Sequence, residues 1–582
     1  MAGKTSIGGA GWALVCGLAL GVGLPSTGDA QPVPAATPPP PDTVTLSIVG
    51  TTDLHGRVFA TNGRGGLALL GGYLRNLRAV RVEDGGAVLL LDAGDTFQGG
   101  IESNISEGAL VVDAYNAMGY DALAVGNHDF EYGAHDSATG ADAEDMRGAL
   151  KAAAARARFP FLAANVIDDA TGEPVSWTNV RPSTMVETGG IQVGIVGVMT
   201  HGGLRQTIRA HVQGLSTIPL LPAVESEARR LRTAGADVVL VLSHEGGWCE
   251  RFDDPLDLSS CGHDSKIFRL ARELPPGLVD GIVAGHTHAG VAHEVAGIPV
   301  VQAFQRGAAF ARLDLYARPG VGVIGHRIFA PQGVCTVVDA QGACTTVGDT
   351  PSTYEGVPVG PDPDVVAAMQ PQLDWVEAWR AEPLGVLLET PLDRRSDGLE
   401  SPLGNLFAEA LLAAVPDADV AIGLGVRRGG LRTGLPAGPL TRGPLYDAFA
   451  FDNRVVTLSL TAGELAALLA RSAARSWSGI PSVAGMVVRV TCGPEGADID
   501  LARVSGERIE PDERLTVAAT DFFGRRVGVG TLSGPAESLP SAALVRDAAA
   551  SWLRARNAPL HVDEFSAPRW QPTGDGACLA AS

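Results

Sequence analysis

The chain has no run of clustered Lys and Arg, and its formal net charge is −21. Affinity for a nucleic-acid backbone needs such clusters, so this absence argues against a nucleic-acid binder. Past the N-terminal region no stretch is long and apolar enough to cross a bilayer. No pair of cysteines has the C-x-x-C spacing of a thiolate metal site, and no repeat of solenoid period is present. What remains is 582 residues with 45% hydrophobic content, more than one hydrophobic core usually supports. Two domains with connecting pieces are therefore expected.

Lys4, the apolar stretch from Trp12 to Leu24 and the small-residue site Gly28-Asp29-Ala30 read as a secretory signal over residues 1–30, cut after Ala30. A proline-rich tether, residues 31–42, follows it. Export, to a periplasmic or extracellular compartment, agrees with the six cysteines left once Cys16 departs with the signal. Neighbours along the chain suggest pairing Cys249 with Cys261, Cys335 with Cys344 and Cys492 with Cys578.

From Val44 onward, buried-strand runs alternate with helical periodicity. Val44 to Ile48, Ala87 to Leu91, Asp121 to Val125, Ile191 to Val198, Asp237 to Leu242 and Leu278 to Ala284 read as strands. Leu67 to Val80, Ala109 to Met118, Ala141 to Arg158 and Ala223 to Thr233 read as helices. This is an α/β pattern over residues 43–350. A linker, residues 351–383, contains a helix from Asp364 to Arg380 despite Pro371, and a mixed α+β half spans residues 384–582.

The apolar runs of the first half end in polar knots: Thr52-Asp53-Leu54-His55, Asp92-Ala93-Gly94-Asp95, Gly126-Asn127-His128-Asp129, Ser243-His244-Glu245-Gly246 and Gly285-His286-Thr287-His288. Carboxyl ends of strands are where an open α/β sheet presents ligands. Asp53, His55, Asp95, Asn127, His244, His286 and His288 form a mixed nitrogen and oxygen set that suits two divalent cations such as Zn, Mn, Co, Fe or Mg. A dinuclear pair ~3.5–4 Å apart clamps the attacking and leaving oxygens of phosphoester hydrolysis.

In this order the motifs resemble those of the calcineurin-like metallophosphoesterases, and the added second half resembles the two-domain exported 5'-nucleotidase family. The resemblance implies a β-sandwich flanked by helices, followed by a C-terminal substrate-binding domain. It implies Asp53, His55 and His288 on one cation, Asn127, His244 and His286 on the other, and Asp95 bridging. His128 would face the scissile phosphate, oriented by Glu131, while Asp129 and Glu245 would structure the loops. In the second half, Arg394 or Arg395, with Arg395 preferred, and Arg432 within Arg428-Gly429-Gly430-Leu431-Arg432 would contact phosphate. Phe451 and Asn453 resemble the family's base-clamp segment, with Phe522 or Phe523 opposite, of which Phe523 is preferred. The family's acid-bearing glycine turn is replaced here by Gly524-Arg525-Arg526-Val527-Gly528-Val529-Gly530.

The function implied is release of phosphate from nucleotide monoesters by a metal-bound hydroxide. Cyclic 2',3'-nucleotides or nucleotide sugars are alternative substrates on the same scaffold, and a secreted binder without turnover is the alternative of another class.

Overall fold

In the computed structural model, the described residues are 42–135, 145–394, 400–425, 430–450, 453–473, 480–493, 496–521, 523, 543–556, 558–573 and 577–580. Two sheets carry the first half. In the seven-stranded sheet Val44–Thr51 lies between Ala87–Asp92, parallel to it, and Ala309–Arg318, antiparallel to it. Ala122–Ala124, Phe161–Leu162 and Val180–Arg181 extend the parallel side, and Gly322–Gly333 closes the other edge. The six-stranded sheet has Ile191–Met199, Val238–His244 and Gly281–Ala284 parallel at its centre.

Leu46, Ile48, Leu89 and Leu91 from the first sheet pack with Ile195, Leu240, Leu242 and Val283 from the second, forming the interior of a β-sandwich. Helices Leu67–Asp84 and Ala109–Met118 cover the outer face of one sheet. Leu220–Thr233 and Lys266–Glu273 cover the other. With both faces covered, a strand such as Val238–His244 is buried at every position. That is why it reads as an unbroken apolar run rather than an alternation.

Parallel strands deliver their carboxyl ends to one edge of the sandwich, in register: Thr51 pairs with Asp92, Asp92 with Leu123, and Ser243 with Ala284. The polar knots follow at that edge.

In the second half a four-stranded sheet runs in the order Val455–Thr461, Arg514–Thr520, Val420–Gly425, Pro481–Ala484. Helix Pro402–Ala414 packs in one core beside it and Ala462–Ala473 in another. Ser401 caps the first helix, its hydroxyl accepting from Gly404 N at 3.1 Å, with Pro402 in the first turn. The three disulfides pair as expected from chain neighbours.

Two expectations are corrected. The helix expected from Ala141 begins at Gly148 among the described residues. Asp145 holds a turn ahead of it, accepting from Arg147 N and Lys151 Nζ, and residues 141–144 lie outside the described residues. Helix Pro363–Arg380 is no mere connector: Val365 and Met369 belong to the first half's core, while Val376 packs with Ile105 and Tyr446. The seven-residue helix Arg442–Ala448 was not foreseen, because Gly443-Pro444 reads as a turn.

Candidate metal centre

The polar knots converge into two groups of donor atoms. In the first, His288 Nε2 lies 3.2 Å from Asp53 Oδ1 and 3.1 Å from His55 Nε2. In the second, His244 Nε2 lies 3.0 Å from Asp95 Oδ2 and 3.3 Å from His286 Nδ1. Within each group the donor atoms all lie within 4.8 Å of one another. Asn127 sits between Gly126, which touches Asp95, and His128, whose N donates to Asp95 Oδ1 at 2.8 Å. A third cluster, Cys249, Cys261 and His293, is no thiolate site, because its two sulfurs form a disulfide.

The backbone shows how much these loops are constrained. Asp53, His55, Asp95, His286 and His288 all have positive φ, between 49° and 73°. Such residues are uncommon and cost free energy, so five in one hollow mark a place held by its surroundings. Gly126 is required for another reason: a Cβ there would lie 2.2 Å from Asp95 Oδ1.

Surrounding groups aim the donors. His244 Nδ1 meets the Ala93 carbonyl at 2.7 Å and His55 Nδ1 meets the Gln98 carbonyl at 3.2 Å. Each therefore turns Nε2 toward the hollow. Thr52 Oγ1 and His286 N both donate to Asp53 Oδ2. Asp129 accepts from Gly126 N at 2.8 Å, Thr96 N at 2.8 Å and Asp95 N at 3.2 Å, tying two knots together. Glu245 accepts from Thr200 Oγ1 at 2.5 Å and Lys266 Nζ at 2.9 Å. Thr200 and Lys266 escaped the sequence reading, since nothing local links them to the knots.

Burial lowers His55 to about 4 and also lowers His286, which keeps both neutral. His244 behaves differently. Burial pulls it down, but the charge and hydrogen bond of Asp95 outweigh that and raise it to about 10. The same partnership holds the fully buried Asp95 carboxyl below the usual range. His128 is likewise pulled down by burial, yet Glu131 Oε1, 3.0 Å from His128 Nδ1, and Asp95 leave it raised to about 9.

The donor set fits divalent cations. Among the described residues, Asp53 Oδ1 and Asn127 Oδ1 are buried acceptors that receive no well-aligned hydrogen bond, His288 Nε2 being near Asp53 Oδ1 only as a fellow donor to the hollow. Leaving such atoms unpaired costs ~1–3 kcal/mol each. Nitrogen–nitrogen separations of 3.1 and 3.3 Å match the roughly 3.3 Å edge of a tetrahedral centre with ~2.05 Å bonds.

A pH dependence follows. In the metal-free protein His244 carries a proton to about pH 10, and a ligand must give its proton up. Apparent affinity for one cation is expected to rise roughly tenfold per pH unit over about pH 6–9 and to flatten only above about 10, where His244 loses its proton. Calorimetry in buffers of different ionisation enthalpy should count about one proton released. A pH-independent affinity would contradict the protonated pair.

The second-half residues are placed as follows. Arg432 is exposed, and its backbone N donates to Ala448 O. Asn453 Nδ2 donates to Asp521 Oδ1 at 2.7 Å. Phe523 is partly buried against the core that includes Leu465 and Val517. Arg394 Nη1 donates to Leu431 O. Arg395, Phe451 and the turn 524–530 lie outside the described residues.

Residues 46–290 match the model of the calcineurin-like phosphoesterase, and residues 383–529 match the 5'-nucleotidase, C-terminal domain. Endonuclease YhcR of Bacillus subtilis is 25% identical over 513 residues, which are 84% of this chain but 38% of that protein. The chain thus spans well under half of that relative. Protein UshA of Yersinia enterocolitica is 23% identical over 506 residues, covering 82% of this chain and 85% of its own length. The crystal structure of a 5'-nucleotidase precursor from Thermus thermophilus superposes with a TM-score of 0.53 at 21% identity, covering 91% of this chain and all of that one. At that identity the likeness shows the fold.

Proposed function

The chain belongs to the family that joins a calcineurin-like phosphoesterase domain to a 5'-nucleotidase C-terminal domain, and from that premise we propose that it hydrolyses phosphate monoesters of nucleotides. Residues 43–350 form the catalytic part and residues 384–582 present the nucleotide, with 351–383 between them. The observation that carries this reading is the pair of donor groups in one hollow, with Asp95 in contact with both His244 and the backbone of His128.

Asp53, His55 and His288 would hold one divalent cation, Asn127, His244 and His286 would hold a second, and Asp95 would serve both. When bound, such cations supply Lewis-acid charge and lower the pKa of water beside them. The protein's own groups do the rest. Glu131 Oε1 keeps a proton on His128 Nδ1, which leaves Nε2–H to face the phosphate and to protonate the leaving oxygen. Arg395 and Arg432 contact phosphate oxygens, and Phe451, Asn453 and Phe523 hold the base. A cationic site of this kind offsets the repulsion that a chain of net charge −21 would present to an anionic substrate. Three disulfides favour an exported protein in an oxidising compartment.

The test is a rate comparison with Mn or Zn supplied in turn, over AMP, UDP-glucose, 2',3'- and 3',5'-cyclic AMP and a generic aryl phosphate. AMP should be the preferred substrate. Preference for UDP-glucose or a cyclic nucleotide would replace the monoesterase reading, and no turnover of any ester by protein holding two cations would leave a binding protein.

A further inference from the structure

Among the described residues, a buried polar contact outside the donor groups crosses from the second half of the chain to the segment beside the metal centre. Asn104, 4% exposed, donates from Nδ2 to the hydroxyl of Tyr446, 1% exposed, at 2.5 Å. The other end of the amide is committed inward: Asn104 Oδ1 accepts from Gly99 N at 2.8 Å and from Tyr132 OH at 3.0 Å. With Oδ1 bound to those donors, Nδ2 has to face Tyr446, so the amide has one orientation. Gly99 in turn lies against His55, where a Cβ would come within 2.6 Å of the His55 carbonyl. Its neighbour Gln98 provides the carbonyl that His55 Nδ1 meets at 3.2 Å.

Packing holds Tyr446 in place. Its ring clusters with Ile105 and Val376, meets Trp379 edge to face at 6.0 Å, and lies under the Arg546 guanidinium at 4.6 Å. Arg380 Nη2 to Asp447 Oδ2, at 2.8 Å, ties the connecting helix to the same segment.

We propose that Asn104 and Tyr446 form a strut that positions His55, so that one half of the metal centre is complete only while residues 442–448 are docked on residues 101–105. The proposal rests on the two-cation reading above. Tyr446 and Asn104 are positioning residues: neither belongs to a donor group, and both act through the 98–99 turn. Groups behind a metal-ligating histidine fix its ring orientation, and their loss costs roughly 10–100-fold in metal affinity. The consequence is asymmetric, because His244 takes its orientation from Ala93 in the sandwich, beyond the reach of the strut.

The experiment uses the full chain, with zinc alone as probe, titrated against a chromophoric chelator to resolve two binding steps. Tyr446→Phe removes only the hydroxyl and keeps the packing. It is expected to weaken one step about tenfold while the other moves less than about twofold. Asn104→Ala should weaken the same step at least as much, and Tyr446→Phe keeps the test valid if that variant does not fold. The His55 ring-proton resonance should shift in the metal-free Tyr446→Phe protein while that of His244 stays in place, a selectivity that general loosening of the fold would not produce. Two unchanged steps in Tyr446→Phe, or two steps weakened equally, would overturn the strut. A wild-type chain that binds fewer than two zinc ions would instead overturn the two-cation reading on which it rests.

Discussion

Replacing Asp95 with alanine is expected to lower phosphoester turnover by about 10³- to 10⁴-fold and to leave the purified chain with fewer than two cations. Asp95 contacts His244 Nε2 through Oδ2 and the backbone of His128 through Oδ1, and its charge reaches His55. On the proposed two-cation reading, losing it removes the anion that the two groups of donors would share. Cation charge at a phosphoryl centre is worth several kcal/mol, and ~4–5.5 kcal/mol corresponds to the stated range. Metal content by elemental analysis, alongside turnover at saturating metal, checks it. A variant that kept two cations and a tenth of the wild-type rate would show that Asp95 is not shared.

The second large effect is expected from His128→Ala, which should cut turnover by about 10²- to 10⁴-fold, the usual contribution of a positioned proton donor. Metal content should stay at the wild-type value, since His128 is absent from both donor groups. Glu131→Gln is the companion variant. The His128 value is raised to about 9, with the Glu131 hydrogen bond and charge opposing burial. Removing that charge should return it toward 6.5, the ordinary histidine value. The protonated form would then be lost at lower pH, and the alkaline limb of turnover should move down with it. Nuclear magnetic resonance titration of His128 in the metal-free protein measures the shift directly. An unmoved titration would mean that Glu131 does not hold this proton.

How much of this was legible in the sequence depended on distance along the chain. Ala109–Met118 reads directly from its helical spacing, because an isolated amphipathic segment carries its own period. Val238–His244 reads as a strand because both its faces are buried. The knots are visible because each is a few residues long and follows an apolar run. Helix Pro363–Arg380 is visible as a helix but not as a wedge, since its packing against Ile105 and Tyr446 depends on partners far from it in sequence. Thr200, Lys266 and Asn104 carry no local signal, for the same reason.

By itself the sequence determined which side chains stand at the strand ends, their nitrogen and oxygen chemistry, and the alternation that makes an α/β sandwich, because periodicity and turn residues are local properties. Only the tertiary structure decided that His244 Nε2 meets Asp95 Oδ2, that five of the seven candidate donors sit on positive-φ backbone, and that Tyr446 contacts Asn104 behind the His55 loop. Those features arise where loops separated by up to several hundred residues are pressed into one small buried volume. There, distance and desolvation rather than residue type set charge, strain and orientation.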